Sequence, residues 1–180
     1  MTPLVEVRGV VGTSFRNLTF TGGSSGIHVR HATAFIRDCE FRGNRNGILS
    51  ESSQTHIFSS LFTDNFTGVQ SLQADFIALD DSTVVNNEQT GVFVSSGSRL
   101  LMDGGEVSGN LFGIKLLDNS SAFLRQPLVV GDTTGGSHMD AVNHSTLTIN
   151  DGVVVTGSND IEIVKPAQYF QVADSSLRNR

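Results

Sequence analysis

The chain has 180 residues, of which 38% are hydrophobic and 17% charged, with 19 Gly, 3 Pro and a net charge of −6. The charged share lies below the roughly 25% of an average domain, and the Gly-rich, Pro-poor composition suits a β-protein with repeated tight turns and excludes a disordered chain. The acidic balance argues against nucleic acid as the main partner, because phosphate binding needs a basic surface, and it weakly disfavours a strongly anionic polysaccharide. No apolar run reaches the roughly 18 residues of a membrane span, and Cys39, the one cysteine, allows no internal disulfide.

The opening Met1-Thr2-Pro3-Leu4 has neither the basic nor the apolar region of a secretory leader. A periodic pattern starts at once, near Val5. Solenoids need covered ends, so the expectation is a segment of a longer surface or secreted protein, or a chain whose end a partner covers.

From Gly26 to Leu116 one phrase recurs: Gly26-Ile27, Gly47-Ile48, Gly68-Val69, Gly91-Val92 and Gly113-Ile114, at spacings of 21, 21, 23 and 22 residues. Polar runs precede the later copies, such as Gly43-Asn44-Arg45-Asn46, Asp64-Asn65-Phe66-Thr67 and Gly109-Asn110-Leu111-Phe112. Self-similarity at this period means stacked units, none of which buries its apolar face alone. Six residues before the Gly stand Phe20, Phe41, Phe62, Val85 and Val107, and eight before it Leu18, Cys39, Ser60, Thr83 and Gly105. That offset of two puts both columns on one strand face, which makes Cys39 a small core residue. Further back come Phe15, Ile36, Ile57 and Met102, with Leu79 in the out-of-step coil. After the Gly, Ile27/Val29, Ile48/Ser50, Val69/Ser71, Val92/Val94 and Ile114/Leu116 point inward. Three residues before it come Gly23, Asn44, Asn65, Glu88 and Asn110, an expected ladder of stacked amides at a bend.

No coil holds the i, i+3, i+4, i+7 pattern of a helix, and the leucine-rich and calcium-binding nonapeptide strings are absent. The pattern therefore predicts an all-β solenoid of about seven parallel coils, 21–23 residues each. One domain is expected over residues 1–180, with regular coils at about 5–116, looser coils over 117–165 and a cap or tail over 166–180. In the looser part, Asp118-Asn119-Ser120-Ser121 reads as a turn, residues 131–137 as the one long loop, and Ile161-Glu162-Ile163-Val164 as the last partial coil.

The Gly-Ile/Val phrases, the Asn-rich bends and the strings Cys39-Glu40-Phe41-Arg42-Gly43-Asn44 and Ser60-Leu61-Phe62-Thr63-Asp64-Asn65 resemble the right-handed parallel β-helix repeats of the pectate-lyase-like superfamily. They are also similar to repeats of polymorphic outer-membrane and autotransporter passenger domains. The resemblance spans roughly residues 5 to 165 and implies a single-stranded right-handed β-helix. It carries less about activity, because one scaffold hosts many functions.

In enzymes of that kind the substrate lies beside the strand after the Gly. Here the outward positions are His28, Leu49, Gln70, Phe93 and Lys115 in one column, and Arg30, Glu51, Leu72, Ser95 and Leu117 in the next. His28, Arg30, Glu51, Gln70, Phe93 and Lys115 form the candidate binding face. Leu49, Leu72, Phe93 and Leu117 would make an apolar stripe open to water, which points to self-association or packing against the rest of a longer chain. Asp81 and Asp103 both stand ten residues before a Gly, with Asp80 and Glu106 near, and form the candidate catalytic carboxylates of a polysaccharide hydrolase. A lyase would instead place a basic residue beside calcium-binding acids, and only that alternative brings a cofactor. The five His residues form no tetrahedral set, so no metal is inferred. Absent Trp and a lone Tyr169 count against a dedicated sugar platform. Bare coils favour a non-catalytic structural or interaction module over a lyase, hydrolase or epimerase, with an extracellular or cell-surface setting.

Overall fold

The computed structural model describes residues 1–131, 134–150, 153–156, 161–163 and 168–172. Each coil is a circuit of short strands. The first holds β1 (Val5–Arg8), β2 (Val11–Arg16) and β3 (Thr19–Thr21), and the second β4 (Ser25–Arg30), β5 (Thr33–Arg37) and β6 (Glu40–Arg42). The third holds β7 (Asn46–Glu51), β8 (Gln54–Phe58) and β9 (Leu61–Thr63), and the fourth β10 (Thr67–Leu72), β11 (Phe76–Asp80) and β12 (Thr83–Val85). The fifth merges its last two strands, leaving β13 (Thr90–Val94) and β14 (Arg99–Ser108), as does the sixth with β15 (Phe112–Leu116) and β16 (Ser121–Gly131). The seventh has β17 (Met139–Ala141), β18 (Thr146–Asn150) and β19 (Val154–Thr156), followed by β20 (Ile161–Ile163) and β21 (Gln168–Val172). All strand pairs are parallel, and about seven turns stack as the repeat predicted.

The strands after each Gly form an eight-stranded sheet, β1-β4-β7-β10-β13-β15-β17-β20. The other two sides of the coil join through β14 into one bent sheet of thirteen strands. Residues equivalent in the repeat stand in register: Val5, Ile27, Ile48, Val69, Val92, Ile114 and Met139 form one column. Ile36, Ile57, Leu79, Met102 and Leu124 form another, fully buried, so Leu79 takes the place expected of it. Phe20, Phe41 and Phe62 lie ring on ring, with centroids 4.9 and 4.7 Å apart and planes within 9° and 3°.

This stack explains the repeated Gly. A Cβ at Gly26 would lie 2.6 Å from the ring of Phe41, and one at Gly47 would lie 2.7 Å from the ring of Phe62 and 2.5 Å from the carbonyl of Gly68. The Gly makes room for the Phe at the far end of its own coil, so the two sequence signals are one contact. The left-handed backbone sits at the corners instead. Asn17, Asp38, Ser59 and Asp81 have φ of 53°, 53°, 46° and 47°, each at a one-residue bend of the kind that Asn, Asp and Ser accommodate.

Each corner also carries a polar ladder. Asn44, Asn65, Asn87 and Asn110 are buried in one file. Asn65 Nδ2 donates to the Phe41 carbonyl (2.9 Å) and to Asn87 Oδ1 (3.0 Å), while its own Oδ1 accepts from the backbone N and the Nδ2 of Asn44 (3.0 and 3.1 Å). At a second corner, Cys39 N and Ser60 N donate to the hydroxyls of Ser60 and Ser82 (both 3.2 Å). At the third, Ala32 N donates to Ser53 Oγ, Ser53 N to Asp75 Oδ1 (2.6 Å) and Asp75 N to Ser98 Oγ. Cys39 is buried within its file, the core role assigned to it.

One extra residue before Gly91 corrects several positions. Asn87, not Glu88, belongs to the amide ladder, and Glu88 is exposed. Val84, not Val85, lies between Phe62 and Val107, and Ser82, not Thr83, follows Ser60. The insertion falls between the ladder Asn and the Gly, so counting backward from Gly91 misplaces everything before it by one. The end of the chain also departs from expectation. Residues 168–172, expected to form part of a cap or tail, form β21 in register with β18. The rest of the expected cap lies outside the described residues, as do 132 and 133 of the long loop.

Asp75 is 2% exposed, and its oxygens accept from Ser50 Oγ (3.0 Å), Ser71 Oγ (2.8 Å) and Ser53 N. Burial raises its pKa, and the hydrogen bonds of the Ser hydroxyls and backbone amides offset this only in part. The folded state therefore prefers the protonated acid. That stabilisation is complete below the ordinary carboxylate pKa of about 4 and fades as pH climbs through the raised folded value. Asp75→Asn should thus hold more of its stability at pH 7, relative to wild type, than at pH 4, as read by urea melts at both. Asn65→Ala strands the buried amide of Asn44 and should lower stability by about 2 kcal/mol. An unchanged melting temperature would refute the ladder.

Candidate functional site

The eight-stranded sheet turns its alternate residues outward. His28, Leu49, Gln70, Phe93 and Lys115 stand in one register column, as expected, and Asp140 extends it. In the next column Arg30 and Glu51 are in register. Glu51 Oε2 accepts from Arg30 Nε (2.9 Å) and Nη2 (2.8 Å) and bonds His28 Nε2 (2.9 Å). Burial pushes the Glu51 carboxyl up, but the hydrogen bonds and charges of His28 and Arg30 outweigh it and hold the pKa below the usual glutamate range. Lys115 Nζ lies 3.8 Å from Asp140 Oδ2 and 4.5 Å from the centroid of the Phe112 ring.

The apolar stripe is only partly open to water. Leu49, Leu72, Phe93 and Leu117 are half-buried, and Ser95, expected to face outward beside them, is buried. The most exposed large apolar residues lie elsewhere, among them Val11, Phe35, Phe66 and Phe123.

A groove of about 320 Å³ runs beside this column, with Arg45, Phe66, Gln70, Gln89, Phe112 and Lys115 among its lining residues. Its position follows from the bends. Arg45, Phe66 and Gln89 occupy the turns that lead into β7, β10 and β13, Phe112 opens β15, and Gln89 belongs to the turn that holds the extra residue. Sequence reading names Gln70, Phe93 and Lys115 but misses Arg45, Phe66, Gln89 and Phe112. The available signal was an apolar ring, Phe66, inside an otherwise polar bend.

The carboxylate pair lies on the other sheet, with a shifted membership. Asp80 is in register with Asp103, while Asp81 is an exposed corner residue whose N–H donates to the Asp103 carbonyl (2.9 Å). Glu106 is beyond the bend of β14, in register with Thr83, and its exposed side chain accepts from Ser108 Oγ. The misplacement has the same cause as the ladder error, the extra residue before Gly91. Asp103 pairs with Arg125 (3.1 Å), which occupies the matching position of the next coil. Asp80 is raised in pKa by burial first and by the Asp103 charge second, with Arg125 and His56 opposing. Arg125, His56 and Phe76 share this hollow of about 480 Å³ with the three Asp residues, and sequence reasoning assigns none of the three to this site.

No cluster of three or more His, Cys, Asp or Glu residues with metal-binding geometry exists among the described residues. Among them no helix is long and apolar enough to cross a membrane.

The family model for a right-handed beta helix region matches residues 5–167. The chain belongs to the right-handed β-helix family. That match, with the stacked parallel coils, agrees with the fold expected from the repeat. Comparison with curated proteins finds no match. Among solved structures, QnrB1, a plasmid-mediated fluoroquinolone resistance protein, is similar at 13% identity, covering 87% of this chain and 92% of that one, with a TM-score of 0.26. A score that low carries no argument about function.

Because Arg125 is one of the charges that hold Asp80 down, Arg125→Gln should move the Asp80 titration to higher pH. Carboxyl NMR across a pH series reads this directly, and a downward move would contradict the assigned couplings.

Proposed function

We propose that the chain is a non-catalytic β-helix interaction module of a larger secreted or surface protein. The carrying observation is that the charged side chains of the candidate binding face, and Asp103 on the other sheet, are already engaged with neighbours. Glu51 is held by His28 and Arg30, Lys115 is near Asp140, and Asp103 is paired with Arg125. Hydrolysis of a glycosidic bond requires a proton donor and an opposed carboxylate across a cleft that seats the sugar. Here Asp80 and Asp103 are side by side on neighbouring strands, and the coils of 22 and 23 residues that carry them leave little chain to wall a cleft.

One observation favours a second reading, a polysaccharide-processing enzyme. The Asp80 carboxyl is raised beside a second carboxylate, as a general acid requires. The two readings separate in one assay. The protein is incubated with uronate-containing and neutral polysaccharides, with and without calcium, and new reducing ends or unsaturated products are measured. The module reading expects neither. Product formation abolished by Asp80→Asn or Asp103→Asn would replace it with the enzyme.

A further inference from the structure

The groove on the eight-stranded sheet carries groups that the fold leaves without partners. Arg45 is exposed and makes no ion pair among the described residues, whereas Lys115 is committed to Asp140 and Phe112. The side-chain amides of Gln70 and Gln89 also have no protein hydrogen-bond partner among the described residues. Phe66 is 40% exposed, with Phe93 and Phe112 half-buried beside it. Glu88, the acid of the same bend, is exposed and does not line the groove.

These groups are set in a line. Arg45, Phe66 and Gln89 come from the bends of three successive coils and Phe112 from the start of the next strand, β15, so the groove follows the solenoid axis over three inter-strand steps, about 14 Å. Four residues of extended chain cover that length, at about 3.3 Å each. The chemistry required is a carboxylate for the guanidinium of Arg45, groups that both donate and accept for the two amides, and apolar side chains for the rings. A peptide supplies all three at this spacing, because its backbone offers an N–H and a C=O at every residue. A sugar chain matches the amides, but three phenyl rings offer no polar edge to its hydroxyls. The chain has no Trp, and its one Tyr, Tyr169, belongs to β21 of the other sheet.

We propose that this groove binds an extended segment of a partner protein, with an Asp or Glu on Arg45 and flanking apolar side chains on Phe66, Phe93 and Phe112. The proposal rests on the interaction-module reading and gives that module's partner its chemistry. A local positive charge inside an acidic surface also selects register, since acidic residues placed elsewhere along the module are repelled.

A phage-displayed library of random dodecapeptides is selected on the full chain, and enriched peptides are titrated against Arg45→Glu, Phe66→Ala and the opposite-sheet control Arg37→Glu. Circular dichroism melts confirm that each variant folds. The expected peptides carry an acidic residue within two positions of an aromatic or aliphatic one. Their affinity should fall about tenfold or more in Arg45→Glu and several-fold in Phe66→Ala, and should not move in Arg37→Glu. No enriched sequence class, binding indifferent to Arg45→Glu, or groove-dependent capture of oligosaccharides from a glycan array with no peptide binding would each overturn the assignment. Those failures remain distinct from failure of the module reading, which product formation from polysaccharides would reveal.

Discussion

Backbone hydrogen bonds between successive coils fix their separation at about 4.8 Å, and the rest of the molecule conforms to that distance. Nothing bulky fits between coils at the point where a Phe ring leans against the Gly of its own coil, which is why Gly recurs there. The same spacing is short enough for flat aromatic rings to stack and for one Asn amide to bond the next. The interior is therefore built as columns, and each column tolerates only residues that suit both neighbours.

The corners show what this arrangement costs and how the cost is met. Three bends per coil turn backbone groups away from the strand ladders, where they would be buried without partners. Files of Asn and of Ser, with Asp75 set into one of the Ser files, supply the missing donors and acceptors. Asp75 is the outlier, a carboxylate in a file of hydroxyls, and its raised pKa records the burial that the neighbouring Ser groups only partly offset. With the interior so constrained, variation is left to the outward residues of the strands and to the bends. The two candidate sites are found there, one at an elongated turn and one along a strand face.

Periodicity made the fold legible because a parallel stack repeats every constraint once per coil. The Gly-Ile phrase, the Phe column and the bend Asn residues were visible for that reason. The errors arose where one coil broke the period. The extra residue before Gly91 lies between Asn87 and the Gly, and counting across it misassigned Glu88, Val85, Thr83 and Asp81 together. Strand ends were a second weakness, as the buried Ser95 shows. The candidate site was less legible than the fold for a physical reason. Its register column followed from alternation, but Arg45, Phe66 and Gln89 reach it from bends and Phe112 from the first position of β15, where alternation does not fix side-chain directions. Arg125 was missed because it lies beyond the regular repeat, although it occupies the same strand position as Asp103.

Register locked through buried side-chain ladders is the claim on which this account stands, and hydrogen exchange of the ladder amides addresses it most directly. The backbone N–H groups of Asn44, Asn65 and Asn87 each donate to the Oδ1 of the next Asn, at 3.0, 3.1 and 2.9 Å. Measured by NMR in the native protein, they should exchange as slowly as the amides of the core strands, through global unfolding. Exchange at the rate of exposed bend residues would show that the corners are not bonded from coil to coil, and would contradict the account.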